Sequence, residues 1–359
     1  MIRISTGLND KNKNEFKLLE LDNELVEALE KQQVLEFKGD GDEDAVLCSN
    51  SNTYLLKNRM HSNSLTLLER DTHDTHDTHD THDTHIVNTF HEILETHKCI
   101  PNMDKLDQIL SHRVLLDPTE SNTDKDRDVD SSLRYDYKRL SSSIQASDEE
   151  MRHALTARKI VHYNGEYRPV DAECLMRTLD LIANALELLG MSMTNLDKQR
   201  VVEKVHEEHN VDKQYTDTVM DWFMSTPTSL DINAFVKEMG VCILKTHKHP
   251  TPFETFIDDW KERVGYELSS YCSLDLLKGS YLIEAGRVKF FTSSSLSKAP
   301  STRFQELFKM RGKWFAADLI PFIQDLGDSK ELERLVLKFC RSQTDKSSGM
   351  ETYTSRQRI

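Results

Sequence analysis

Imidazoles beside carboxylates are where metal binding or acid–base chemistry would first appear. The densest such stretch is Asp71–His85, DTHDTHDTHDTHDTH, five copies of one tripeptide. Both side-chain types are ligands for divalent metals. A period of three, however, matches neither the two-residue repeat of a strand nor the 3.6-residue repeat of a helix, so nothing aims these groups at one tetrahedral point. The tract reads as a repeat expansion tolerated in a surface loop, with metal affinity incidental. His206-Glu207-Glu208-His209 sets its histidines three apart, not at the spacing of H-E-x-x-H, and reads as an exposed helical face. Lys278-Gly279-Ser280 lacks the upstream glycine of a phosphate loop, and the acidic Gly39–Asp44 (GDGDED) would repel phosphate. No G-x-S-x-G occurs. No catalytic, cofactor-binding or metal-ligating residue is assigned, and neither an enzyme nor a cofactor is expected.

The elements that carry these residues belong to several small domains. At 359 residues and 37% hydrophobic content, the chain suits two to four cores and not one large one. No apolar run is long enough for a membrane span, and the polar start MIRISTGLNDKNKNEF lacks a signal core, so neither is expected. Six scattered cysteines without a C-x-x-C pair read as reduced thiols of an intracellular protein. The net charge of −15 is uneven: 28 acids against 14 bases up to Asp130, but 8 acids against 12 bases from Lys298 onward. The front should repel nucleic acid, and any contact with phosphate belongs near the C-terminus.

Residues 1–100 read as short strands: Glu15–Leu21, Val34–Lys38, Ala45–Cys48, Thr53–Lys57, Ser64–Glu69 and the period-two segment Ile86–Cys99, with a helix capped by Asp22. Five to seven strands are few for a closed barrel, so another chain is expected to pair with the edges. Met103, Leu106 and Leu110 mark a helix, and the acidic residues 117–132 read as a disordered linker.

Leu133–Val170 organises the rest of the chain. Leu133–Ser143 is an amphipathic helix, Ser147 and Glu150 form a capping box for a second, and Asn164-Gly165 suits a type I′ turn between strands Lys159–Tyr163 and Glu166–Val170. Helix, turn, helix, hairpin is the order of a winged helix. Residues 101–192 are accordingly read as a first winged-helix domain, ending in the Asp171-capped, Gly190-stopped helix Ala172–Leu189. Residues 193–297 read as a second such region, with helices Leu196–Glu208, Tyr215–Met224, Asp231–Met239 and Phe253–Val264, a strand over Val241–Lys245, and a hairpin across Ala285-Gly286. A Ser-rich linker, Ser293–Ser301, precedes a third domain, 298–359, with helices Arg303–Met310, Ala316–Leu326 and one through Phe339, and a last strand Glu351–Tyr353.

The fold class is thus α+β: a partial β-barrel, then tandem winged helices. Several segments resemble the Dcc family, the "defective in sister chromatid cohesion" proteins. They are Phe16–Glu69, above all KGDGDEDAVLCSNSNTYLLK with HSNSLTLL; QASDEEMRHAL, Gln145–Leu155; RFQELFKMRGKWFAADLIPFIQDL, Arg303–Leu326; and YTSRQRI at the end. They cover about half the chain; Asn195–Ser295 matches in outline, and the DTH tract departs from the pattern. The resemblance implies a nuclear, non-catalytic subunit of an alternative replication factor C complex. In that family the front strands join a small partner subunit and the large ATPase subunit in a triple β-barrel. Barrel and first winged helix dock on the leading-strand DNA polymerase, and the winged helices contact single- and double-stranded DNA. The complex loads the sliding clamp (PCNA) at replication forks and supports sister chromatid cohesion.

By charge and position, the DNA-binding candidates are Lys309, Arg311, Lys313, Lys330, Arg334, Lys338, Arg341, Arg356 and Arg358. Those in Ser329–Cys340 stand where a recognition helix would lie. Val34, Phe37, Val46, Tyr54, Leu65 and Leu67 are the candidates for the barrel interior or partner interface. Two other readings compete: a free-standing winged-helix transcription regulator, which the acidity and the unfinished barrel disfavour, and a metal-dependent enzyme using the histidine tract. Deleting Asp71–His85 is expected to leave the thermal midpoint and partner binding unchanged; a metal-dependent activity that disappears with the tract would reverse that reading.

Overall fold

A computed structural model describes residues 17–41, 43–70, 84–119, 134–346 and 349–356. The acidic linker from residue 120, most of the DTH tract and Arg358 lie outside them. The fold is mixed α+β, and the chain divides into two units: Met1–Ser111 with Tyr135–Arg158, and His112–Arg134 with Lys159–Ile359.

The first unit is a curled half-barrel sheet. Its strands are β1 (Leu19–Glu20), β2 (Glu36–Lys38), β3 (Val46–Cys48), β4 (Thr53–Arg70) and β5 (Thr84–Cys99), in the order β1-β5-β4-β3-β2, with only β1 and β5 parallel. The segments read as separate strands at Thr53–Lys57 and Ser64–Glu69 are one 18-residue strand. The polar NRMHSN between them looks like a turn, but the ladder with β5 carries it through as an irregularity after Met60. Helix α1 (Asn23–Glu30), capped by Asp22 as expected, packs Leu25 on Leu47 and Tyr54 of one sheet face. The opposite face carries Lys38, Val46, Cys48 and Thr53, all buried. Helices α2 (Asp104–Leu110), α3 (Tyr137–Ser143) and α4 (Asp148–Ala157) complete the unit. Lys38 Nζ donates to Ser141 Oγ and the Ala146 carbonyl, at 3.1 and 2.9 Å, and Thr53 Oγ1 donates to the Glu150 carboxylate at 2.6 Å. The Ser147–Glu150 capping box is present. The α3–α4 turn therefore groups with the sheet.

The hairpin β6 (Ile160–Tyr163) and β7 (Glu166–Pro169), which the sequence reading joined to those helices, groups with the second unit. Its Asn164-Gly165 turn has φ of 52° and 81°, both positive as a type I′ turn requires. Glu166 is buried against Arg113, and Leu115 bridges Val170.

Next come α5 (Ala172–Leu188), α6 (Lys198–His209), α7 (Lys213–Asp221), the hairpin β8 (Met224–Thr226) and β9 (Ser229–Leu230), α8 (Ile232–Thr246), β10 (Thr251–Pro252), α9 (Phe253–Val264), and β11 (Tyr281–Glu284) with β12 (Arg287–Phe290). Asp171 caps α5, and Gly190 follows its end at φ 63°, as read. Val241–Lys245 is no strand: it is the second half of α8, an apolar run that only its helical context resolves. The first core of this unit includes Leu179, Val205, Tyr215, Met220, Val236 and Trp260.

The chain closes with α10 (Pro300–Met310), β13 (Lys313–Phe315), α11 (Ala316–Leu319), α12 (Ser329–Phe339), β14 (Cys340–Thr344) and β15 (Glu351–Ser355). The sheet order is β13-β15-β14, antiparallel throughout. The helix expected over Ala316–Leu326 stops at Leu319 and continues as two 3-10 turns. Pro321 lacks the N–H that another α-helical turn needs. The expected Ser-rich linker is packed: Leu296 is buried in the second core with Phe304, Leu307, Trp314, Phe322 and Phe339. The hairpin β11–β12 serves both cores, Val288 in the first and Leu282 in the second.

Where α8 meets α9, a Cβ built on Gly240 would stand 2.8 Å from Trp260 Cε2. Gly240→Val is expected to cost roughly 3 kcal/mol through overpacking, measured by urea denaturation of the full chain.

Candidate partner and nucleic-acid interfaces

In the half-barrel, β3 pairs only with Thr53–Leu55 of β4, and β1 pairs only with Leu94 and Glu95 of β5. Among the described residues, the edge of β4 from Leu56 onward therefore has no neighbour on the side away from β5. An open edge of this length is a template for another strand. Met60 is 82% exposed on it; its single apolar position in a polar run hid it from the sequence reading.

The six barrel candidates divide. Val46 and Tyr54 are interior, Tyr54 only 1% exposed, while Val34, Phe37 and Leu65 are exposed and Leu67 is half-buried. Tyr54 Oη donates to Glu24 Oε2 at 3.0 Å, and Lys98 Nζ reaches the same oxygen at 3.0 Å. Burial, and then the bond to Glu24, pushes the Tyr54 phenol well above its usual pKa, while the hydrogen bonds from Lys98 and Tyr54 hold Glu24 below its own. Tyr54 thus ties β4 to α1. The exposed three are the ones available to a second chain.

The nine cationic candidates divide as well. Arg311 faces inward: its guanidinium lies 4.6 Å from the Trp314 ring centroid and donates to the Ile283 carbonyl at 3.0 Å, with Asp318 at 3.8 Å. It lines a cleft of about 230 Å³ with Lys278, Tyr281, Trp314 and Phe322. Lys313 pairs with Asp345 at 3.5 Å. Arg334 meets Glu331 at 2.7 Å on the exposed side of α12, and Lys338 Nζ lies 5.3 Å from the Phe339 ring centroid. Lys309, Lys330, Arg341 and Arg356 are exposed. Lys330, Arg334 and Lys338 share α12, and Arg341 is in β14, just past the helix end. Arg356 donates its main-chain N–H to the Phe339 carbonyl at 2.9 Å, at the same end of the helix. The structure therefore gathers Lys330, Arg334, Lys338, Arg341 and Arg356 around α12 and withdraws Arg311. Arg303, which the sequence reading passed over, is 1% exposed; it donates to the carbonyls of Ser297 and Phe322 and to Asp325.

Among the described residues, no three His, Cys, Asp or Glu side chains are grouped to hold a metal. His206 Nδ1 lies 2.9 Å from the Val211 carbonyl, so that ring belongs to the local fold. All six cysteines are free, and burial pushes Cys272 up to about 11 and Cys340 to about 12, away from thiolate chemistry at neutral pH. No described helix is long and apolar enough to cross a membrane.

The family model "Sister chromatid cohesion protein Dcc1" matches residues 16–323, most of both units. The chain belongs to the Dcc1 family. Sister chromatid cohesion protein DCC1 of Mus musculus is 26% identical over all of this chain and 91% of its own length. The probable Dictyostelium discoideum counterpart is 22% identical over 99% and 97% of the two chains. The Saccharomyces cerevisiae protein is 24% identical over 91% and 93%. The Dcc1 model ends before α12, so the cationic helix rests on the geometry alone. Arg311→Ala is expected to lower stability by about 1–2 kcal/mol, losing a cation–π contact and a hydrogen bond. Lys330→Ala is expected to stay within about 0.5 kcal/mol. Parallel urea titrations check both.

Proposed function

We propose that this protein is a non-catalytic scaffold subunit of an alternative replication factor C complex. That complex loads the sliding clamp (PCNA) at replication forks in the nucleus, docks on the leading-strand polymerase and so supports sister chromatid cohesion. The open edge of β4 is the observation that carries the reading. A half-barrel with one long ribbon and two- or three-residue strands at its margins suits completion by strands of the small barrel subunit and the large ATPase subunit. Membership of the Dcc1 family, whose relatives are named for cohesion, supports the same assignment.

The C-terminal order α10-β13-α11-α12-β14-β15, with its three-stranded antiparallel sheet, is the order of a winged helix. In that reading α12 takes the recognition position and β14–β15 form the wing. The cations gathered there favour contact with the phosphates of single- and double-stranded DNA.

Co-expression tests the proposal. Full-length protein produced with the large ATPase and small barrel subunits is expected to purify as a ternary complex. Phe37→Glu with Met60→Glu is expected to weaken that complex at least tenfold while leaving the thermal midpoint of the isolated chain unchanged. A chain that ignores both subunits and binds duplex alone with sequence preference would instead be the free-standing transcription regulator.

A further inference from the structure

Helix α12 has two dissimilar faces. Leu332, Leu335, Val336 and Phe339 turn to the C-terminal core, Leu335 and Phe339 each 6% exposed. At 100° per residue, Lys330, Arg334 and Leu337 fall within about 60° of arc on the opposite side. Leu337 is 67% exposed, and with Lys330 and Arg334 it occupies the middle of that outward face. Single exposed leucines are common on protein surfaces. This one differs in its surroundings, with Lys330 and Arg334 on its own face, Lys338 beside it and Arg341 beyond the helix end, against one exposed carboxylate, Glu333, a turn before it.

We propose that Leu337 is the base- or sugar-contacting residue of α12, an apolar contact set among cations that hold the nucleic-acid backbone. The inference rests on the DNA-binding reading of this helix and specifies how the helix reads its ligand. A protein groove that receives a helix needs apolar anchors at i, i+3 or i+4, and i+7. Here the positions around Leu337 are Lys330, Glu333, Arg334 and Arg341, so the face offers one anchor where such docking needs several. Nucleic acid presents the complementary pattern: charged phosphates flanking apolar sugar faces, base faces and thymine methyl groups. Arg334's bond to Glu331 is solvent-exposed and weak enough to exchange for a phosphate.

The two kinds of contact separate by their salt dependence. Phosphate contacts release counterions, and each one removed flattens log K against log salt by roughly one unit. An apolar contact releases none. The full chain, titrated by fluorescence anisotropy with mixed-sequence single-stranded and duplex oligonucleotides across a salt series, is the test. Lys330→Ala and Arg334→Ala should each flatten the slope. Leu337→Ala should lower affinity about tenfold at every salt concentration with the slope unchanged, as expected for partial loss of its buried methyl groups. Its thermal midpoint should match the parent, since the side chain is mostly exposed and lies outside the core cluster of the subdomain. If Leu337→Ala binds like the parent while the cation variants flatten the slope, the inference falls and the DNA reading stands. If none of the three changes binding, the DNA reading of α12 falls with it. A lowered midpoint for Leu337→Ala would make the residue structural. Intact nucleic-acid binding with loss of the ternary complex would assign the leucine to a protein partner; either result overturns the proposal.

Discussion

A strand's backbone N–H and C=O groups need partners on both sides unless water supplies them, and that requirement governs the front of this molecule. The β4–β5 ladder runs from Thr53↔Cys99 to Arg70↔Thr84, yet β3 reaches only three residues of β4 and β1 only two of β5. The helices cluster where those short strands are. Leu25 of α1 covers Leu47 and Tyr54 on one face, and Lys38 and Thr53 anchor the α3–α4 turn on the other. The rest of the ribbon projects with paired backbone on its inner side and none described on its outer side. Such an edge offers the backbone groups that strand addition uses.

Where the sequence was legible, the signal was local. Asp22, Ser147 with Glu150, Asp171 and Gly190 mark helix ends by short-range hydrogen bonding or positive φ, and Asn164-Gly165 marks a turn the same way. Such features need no tertiary context. The misreadings share the opposite property. β8, β13 and β14 (MST, KWF, CRSQT) are three to five residues long, too short for a period to show even where, as in KWF, aromatic residues are present, and only their sheet partners make them strands. Strand β4 reads as two because NRMHSN has one apolar residue, Met60, and is mostly exposed, so no period-two pattern shows there. A polar, turn-like interval inside a long strand is thus a trace of the open ribbon.

The cationic candidates teach a related lesson about charge. Counting Lys and Arg marks a basic end of the chain but treats nine side chains as equals. Packing separates them: Arg311 closes on Trp314 and the Ile283 carbonyl, and Lys313 turns to Asp345. A guanidinium can satisfy several acceptors at once while lying flat on an indole, so arginine is as useful inside a small core as at a phosphate. Arg303, enclosed by carbonyls and Asp325, is the clearest instance, and nothing in its sequence neighbourhood distinguishes it from a surface cation.

These inward arginines connect to the shared hairpin. β11–β12 gives Val288 to one core and Leu282 to the next, and Arg311 bonds to the carbonyl of Ile283 on the same strand. The hairpin is therefore held by an apolar contact in each core and a charge-assisted hydrogen bond, and Leu296 of the Ser-rich stretch is buried in the second core. Clamping has a consequence for binding. A subdomain on a loose tether would lose orientational freedom whenever α12 engaged a ligand, an entropic cost that rigid attachment removes beforehand. With the hairpin packed in both cores, α12 carries Lys330, Arg334, Leu337 and Lys338 on a subdomain tied to the rest of its unit. A ligand engaging that face would meet a subdomain whose attachment is already packed in both cores.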